Sequence, residues 1–222
     1  MRMHRGISVV AAVLVALFAL TGCARSITGT AVAEPGGTAA GASAGSSAGA
    51  VRVGTGGESI TIYVDFLCPA CKTFEDRDGD AIGAAVAAGK LTVEYRPVSF
   101  LDPQSASGDY SSRALRAFLA VGRDAPASAV PFLRALFAAQ PQEAGSTDAT
   151  DQQLADRARG AGAPDDVAEK IRTGATGIDG KAVGAANVRL LAAAGGTGTP
   201  TVLHNGAPVV LNDPGWLPKI TG

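Results

Sequence analysis

The chain has 222 residues, 46% of them hydrophobic, and its 19 Lys and Arg against 20 Asp and Glu leave a formal charge of −1. It has no basic run and only 5% aromatic residues, so it offers neither the positive excess nor the stacking surface with which proteins meet nucleic acid. Beyond its N-terminal segments the length suits one domain with a single core.

The first segment reads as an export signal. MRMHR is basic, Ile7–Leu20 is almost wholly apolar, and Leu20-Thr21-Gly22-Cys23 follows with small residues at the cleavage point. About fourteen apolar residues make a helix of roughly 21 Å, short of the roughly 30 Å hydrocarbon core, which predicts a signal peptide over residues 1–22 and not a membrane span. LTGC resembles a bacterial lipobox. That resemblance implies a lipid on Cys23, which becomes the first mature residue, and a protein anchored at the extracytoplasmic face of the cell membrane. The alternative is an ordinary signal that happens to carry cysteine at its cleavage site. Because the signal holds Arg2 and Arg5 and no acid, its removal takes the formal charge from −1 to −3. Residues 23–57, with stretches such as GTAAGASAGSSAGA, bear few aliphatic side chains and are expected to form a flexible tether. As a Gly/Ser-like coil it would span roughly 30 Å, and the domain proper is expected over residues 58–222.

SITIYVDF, Ser59 to Phe66, is β-branched and aromatic, and it places Ile60, Ile62, Val64 and Phe66 on one face of a strand. CPAC follows, Cys68 to Cys71, where that strand ends. CKTFEDRDGDAIGAAVAAG reads as a helix with a kink near Gly79, and LTVEYRPV, Leu91 to Val98, as a second strand. From about 101 to 176 strand signals give way to helical spacing: Leu115, Phe118 and Leu119 behind DYSS, then Val130, Leu133, Leu136 and Phe137, then helices around Leu154 and Val167. A further helix is expected from Ile178 to Ala194, with Val183, Ala186 and Leu190 on its inner side. TPTVLHNGAPVVLN is predicted as a hairpin about Asn205-Gly206, the strongest short turn signal. A short helix near Trp216 closes the chain.

A cysteine pair at this spacing can be a redox switch, half of a metal site or two buried thiols. Export to an oxidising compartment and a place on a strand-to-helix turn oppose inert thiols. Thiol exchange needs a thiolate, and an ordinary cysteine with a pKa of about 8.5 is only a few per cent ionised at neutral pH. At the N-terminus of a helix, unpaired N–H groups and the macrodipole favour the anion, so the Cys68 thiol is expected below that value. Pro69 presets φ for the first turn and lacks an N–H that would be orphaned there. Cys71, further into the helix, is expected to be less accessible and to act as the resolving thiol. If Cys23 is lipidated, the two remaining cysteines are this pair.

The order strand, CxxC, helix, strand, helices, then helix, hairpin and helix predicts an α/β, thioredoxin-like fold with an inserted α-helical domain. DFLCPAC, followed by GTGTPTV more than a hundred residues on, resembles the DsbA-like thiol:disulfide oxidoreductases, and DYSSRALRAFLAV resembles the start of their inserted helical domain. The resemblance covers Ser59 to Gly222. It implies a catalytic pair Cys68 and Cys71, no cofactor beyond their redox-active disulfide, and a cis peptide before Pro200. It also implies that Thr199 and Pro200 bind an extended substrate segment; the plainer reading of these two is the start of an edge strand. As partners it implies exported proteins with cysteine pairs and a membrane recycling partner. No metal is expected: no second cysteine pair exists, and His204, the one histidine outside the signal, lies four residues beyond Pro200 on a strand of the resembling fold, roughly 13 Å away. Two departures from the family stand out. Ile62 occupies the place, six residues before Cys68, where many relatives carry a buried carboxylate as proton acceptor. Pro-Ala between the cysteines lacks the histidine of strongly oxidising relatives. Asp65 reads either as a proton-transfer group or as a local backbone acceptor at the strand end. The expected activity is disulfide introduction into exported proteins. Its alternatives are a reductase or isomerase of the same fold, or a peptide-binding or protein-binding lipoprotein with a structural disulfide.

Overall fold

The computed structural model describes residues 45–222, with side chains from residue 48 onward; the signal, Cys23 and the first part of the expected tether lie outside the described residues. Among the described residues a mixed sheet of six strands runs in the order β1-β2-β4-β3-β5-β6. These are β1 (Gly45–Ser47), β2 (Ala50–Val53), β3 (Glu58–Val64), β4 (Leu91–Pro97), β5 (Thr201–His204) and β6 (Ala207–Pro208).

The β-branched run ESITIYV takes the centre because both of its faces can be buried. Ile60, Ile62 and Val64 line the main core, each at most 2% exposed, while Tyr63 turns to a smaller cluster with Val98, Leu191 and Leu203. On one side β3 pairs in parallel with β4, Ile62 against Tyr95. On the other it pairs antiparallel with β5, Tyr63 against Thr201. That second pairing carries the chain just after Pro200 to the end of the strand that leads into CPAC.

Part of the stretch expected as a tether up to Gly57 is ordered strand. Residues 45–53 form β1 and β2, and β2 joins the sheet antiparallel to β4, with Val51 against Tyr95 and Val53 against Val93. Composition hid this. AVRV is a four-residue alternation inside an Ala/Gly/Ser stretch, and what makes it a strand is burial of Val51 and Val53 against partners some forty residues away.

Helix α1 (Pro69–Ala87) runs without interruption through Gly79, where a kink was expected. A Cβ at Gly79 would stand 2.4 Å from the Glu75 carboxylate, so this glycine makes room for a side chain on its own helix. Between β4 and β5 lie α2 (Tyr110–Asp124), α3 (Ala129–Ala138), α4 (Asp151–Gly160), α5 (Asp165–Arg172) and α6 (Gly180–Ala193). Leu115, Phe118, Leu133, Leu136, Phe137, Leu154 and Val167 are all buried, as the helical spacing requires. Helix α4 opens on a capping box, Thr150 with Gln153. Helix α6 faces inward along a different line from the one expected. Gly184, Asn187 and Leu191 are buried and Leu190 is 47% exposed. A polar group decides its rotation: the Asn187 amide donates to Gly49 O and Pro97 O at 2.7 and 2.8 Å and accepts from Arg96. The hairpin turns at Asn205-Gly206, both at positive φ (52° and 78°), the conformation of a type I′ turn. Helix α7 (Trp216–Thr221) returns to α1, with the Trp216 ring 6.3 Å from that of Phe74.

Candidate active site

The strand-to-helix turn is built from Asp65, Phe66, Leu67 and Cys68. Cys68 N–H donates to Asp65 O at 3.0 Å, and Cys68 is the N-cap of α1 (φ −73°, ψ 117°), followed by Pro69 at the first helical position. The Cys68 carbonyl accepts from Cys71 N–H at 3.0 Å and from Lys72 N–H at 3.3 Å. Both thiols are free, with Cys68 8% exposed and Cys71 fully buried. The Thr199–Pro200 peptide is cis, and the Thr199 carbonyl accepts from the Cys68 thiol at 3.4 Å. Thus Cys68, Cys71, Thr199 and Pro200, predicted from positions more than a hundred residues apart, meet at one place. Beside Pro200 a cavity of about 310 Å³ opens between Thr197 and the segment from Pro208 to Asn212.

The two thiols are driven in opposite directions. A hydrogen bond from the Cys71 thiol is the main reason the Cys68 thiol is lowered to about 5; it outweighs burial, and the backbone N–H groups of Cys71 and Ala70 at the helix start add to it. Burial holds Cys71 far above the ordinary range, and its hydrogen bond to Cys68 and the charge there push it further.

Asp65 has no exposed surface. Its carboxylate accepts from Leu67 N–H (2.9 Å), Leu101 N–H (3.1 Å) and Ser111 Oγ (2.6 Å). Of the two readings of this residue, the backbone acceptor is present, and the bonds to Leu101 and Ser111 tie it to the helical insertion as well. Burial raises its carboxyl to about 6 against the pull of those three donors, with a small push from Cys68. The sequence reading missed Gln140, whose side-chain Nε2 donates to Phe66 O at 3.1 Å and to Cys68 O at 3.0 Å. No local pattern marks a glutamine after a helix for such a role, because its partners lie 74 and 72 residues away. Ile62 is fully buried, so the place of the relatives' carboxylate is apolar here. His204 pairs with Glu58 at 2.9 Å, three residues along β5 from the Tyr63–Thr201 pair. Among the described residues no group of three or more His, Cys, Asp or Glu is placed to hold a metal ion.

A dithiol at a helix start, one thiol acidic and the other buried, facing a cis-proline on a mixed sheet, defines a thiol–disulfide exchange protein. Residues 56–214 match the family model described as Thioredoxin. The chain therefore belongs to the thioredoxin family, and it is a DsbA-like thiol:disulfide oxidoreductase with an α/β fold interrupted by helices. Among solved structures it resembles MdbA, a thiol-disulfide oxidoreductase from Corynebacterium diphtheriae, with a TM-score of 0.70 and 26% identity over 80% of this chain and 92% of that one. It also resembles reduced DsbA from Mycobacterium tuberculosis, with a TM-score of 0.66 and 30% identity over 78% and 93% of the two chains. Among curated proteins it is 36% identical over 169 residues to the serine/threonine-protein kinase PknE of Mycobacterium tuberculosis, a match that takes in 74% of this chain but only 30% of the kinase. The chain thus spans less than a third of the length of that relative.

Proposed function

We propose that the chain is an extracytoplasmic oxidase that introduces disulfides into exported proteins through Cys68 and Cys71. The observation that carries this reading is the acidic Cys68 thiol, lowered to about 5 beside a buried Cys71. A stabilised Cys68 thiolate stabilises the dithiol form and so makes the disulfide form a stronger oxidant. Each pKa unit corresponds to about 30 mV of potential.

In the forward reaction a client thiolate attacks Cys68 Sγ of the Cys68–Cys71 disulfide. The Cys68–Cys71 bond breaks, its electron pair leaves on Cys71, which takes up a proton, and a client–Cys68 mixed disulfide forms. A second client thiolate then attacks the client sulfur of that bond and expels Cys68 as its thiolate. The client has lost two electrons and gained a disulfide, and the enzyme holds the dithiol. A membrane redox partner takes the two electrons and restores the enzyme. Thr199 and Pro200 bind the client as an extended segment that pairs with backbone next to the cysteines. A lipid on Cys23 and a tether shorter than first expected, ending before Gly45, hold the domain at the outer membrane face.

The test is to mix the disulfide form with a reduced two-cysteine peptide and, separately, to equilibrate the protein against glutathione. The expected result is near-complete peptide oxidation and a potential between the thioredoxin value of about −270 mV and the DsbA value of about −120 mV. A potential near or below about −270 mV with negligible peptide oxidation replaces the oxidase with a reductase. In cells, Cys68→Ala and Cys71→Ala are both expected to lose client oxidation, because neither can form the Cys68–Cys71 disulfide, and Cys68→Ala is expected to form no client mixed disulfides at all.

A further inference from the structure

We propose that Gln140 is a positioning residue through which the helical insertion sets the reactivity of Cys68, an inference that rests on the dithiol reading above. Gln140 stands just past α3, where its own N–H donates to Phe137 O at 3.2 Å. Its side chain reaches out of the insertion and spends both amide hydrogens on the redox turn, at Phe66 O and Cys68 O. Because both partners are carbonyl oxygens, the amide can face them only through its nitrogen. The Phe66 residue is fully buried, and its carbonyl takes no other hydrogen bond among the described residues.

The neighbouring groups of the turn are held from the same side. Asp65 binds Leu67 N–H while it is itself bound by Ser111 on α2 and by Leu101. The Phe66 ring packs between Phe118 of α2 and Phe137 of α3, at 5.5 and 5.4 Å between centroids. The turn that presents Cys68 is therefore anchored to the insertion, and Gln140 is the anchor on Cys68 itself. What Cys68 gains at the helix start depends on this geometry. The N–H groups of Ala70 and Cys71 stabilise its thiolate only while the N-cap residue keeps its extended backbone (ψ 117°) with the sulfur turned toward the first turn of α1. Without Gln140 the Cys68 carbonyl is held, among the described residues, only by the Cys71 and Lys72 N–H groups of its own helix, and the Phe66 carbonyl is left bare. The turn is then no longer fixed from the insertion at Cys68, the alignment loosens, and the thiolate loses stabilisation and the dithiol form with it.

Two variants separate this role from a purely structural one. Gln140→Ala removes the clamp; Gln140→Glu keeps the shape but turns acceptors and a negative charge toward two carbonyls and the thiolate. The measurements are the pH profile of Cys68 alkylation in the dithiol protein, equilibration with glutathione, and thermal unfolding as a check on folding. Gln140→Glu should raise the alkylation pKa by about one unit, a tenfold loss of thiolate below both values, and should move the glutathione equilibrium about tenfold toward the disulfide. Gln140→Ala should shift both in the same direction by less. If folded variants lose thermal stability but keep the wild-type alkylation profile and equilibrium, Gln140 is only a structural contact and the proposal is overturned. A wild-type profile at the ordinary cysteine value of about 8.5 would overturn the dithiol reading first, and the proposal with it.

Discussion

A carboxylate with no exposed surface is an uneasy neighbour for a cysteine that must ionise, and Asp65 is tolerated there because three donors surround it. Its carboxyl is nevertheless held up to about 6, by burial first and by the Cys68 charge last. A carboxyl raised on folding favours the folded state most below its unfolded value of about 3.9, and that contribution is lost as pH rises through about 6. Urea unfolding of the disulfide form, where Cys68 carries no charge, isolates the effect. Wild-type stability should fall between about pH 4 and pH 6, and Asp65→Asn should flatten that slope. Asp65→Ala strands the Leu67 and Leu101 N–H groups and should cost about 1–3 kcal/mol for each one left buried without a partner. Equal slopes for wild type and Asp65→Asn would mean that Asp65 titrates at its ordinary value.

At the scale of elements, what could be read from the sequence was what local pattern controls. The apolar alternation of SITIYVDF, the Cys68-Pro69 helix start and the Asn205-Gly206 turn each bring their own short-range physics, and each element stands where that physics puts it. Strand β2 and the facing of α6 depend on partners far along the chain: β4 for Val51 and Val53, and Gly49 and Pro97 for Asn187. The same division runs through the site. Cys68, Cys71, Thr199 and Pro200 carry motif signals, whereas Gln140 and Ser111 acquire their contacts only in the folded chain. The unexpected strand can be tested through the helix above it. A Cβ at Gly122 of α2 would stand 2.3 Å from Val51 Cγ2, closer than any real contact, so β2 and α2 can pack only over a glycine. Gly122→Ala should destabilise the domain by about 1–3 kcal/mol in urea. If the variant is as stable as wild type, β2 does not pack under α2.

For the whole molecule, the redox state and the acidity of Cys68 are linked. A thiol lowered on folding contributes stability that is fully present above its unfolded pKa and is lost as pH falls through its folded one. For Cys68 that window runs from about 8.5 down to about 5. The disulfide form lacks this contribution, so the difference in thermal midpoint between dithiol and disulfide forms should move in favour of the dithiol as pH rises from about 5 to 8. A difference that does not change with pH would remove the acidic thiol from the account. Anchoring is tested separately: Cys23→Ala should leave the precursor unprocessed or the protein unanchored, and membrane retention equal to wild type would rule out the lipid. The burial of Cys71 bears on the fate of every mixed disulfide. A client joined to Cys68 can be released in two ways: its own second thiol completes a disulfide, or Cys71 attacks Cys68 and returns the client reduced. In that mixed disulfide Cys68 carries no charge, but Cys71 is still buried, and burial, the first cause of its raised thiol, favours the protonated form, with apolar Ile62 in the place of a proton acceptor. On the proposed oxidase reading, this burial disfavours the second route, so the interior of the domain acts as a timer that favours release of the client oxidised.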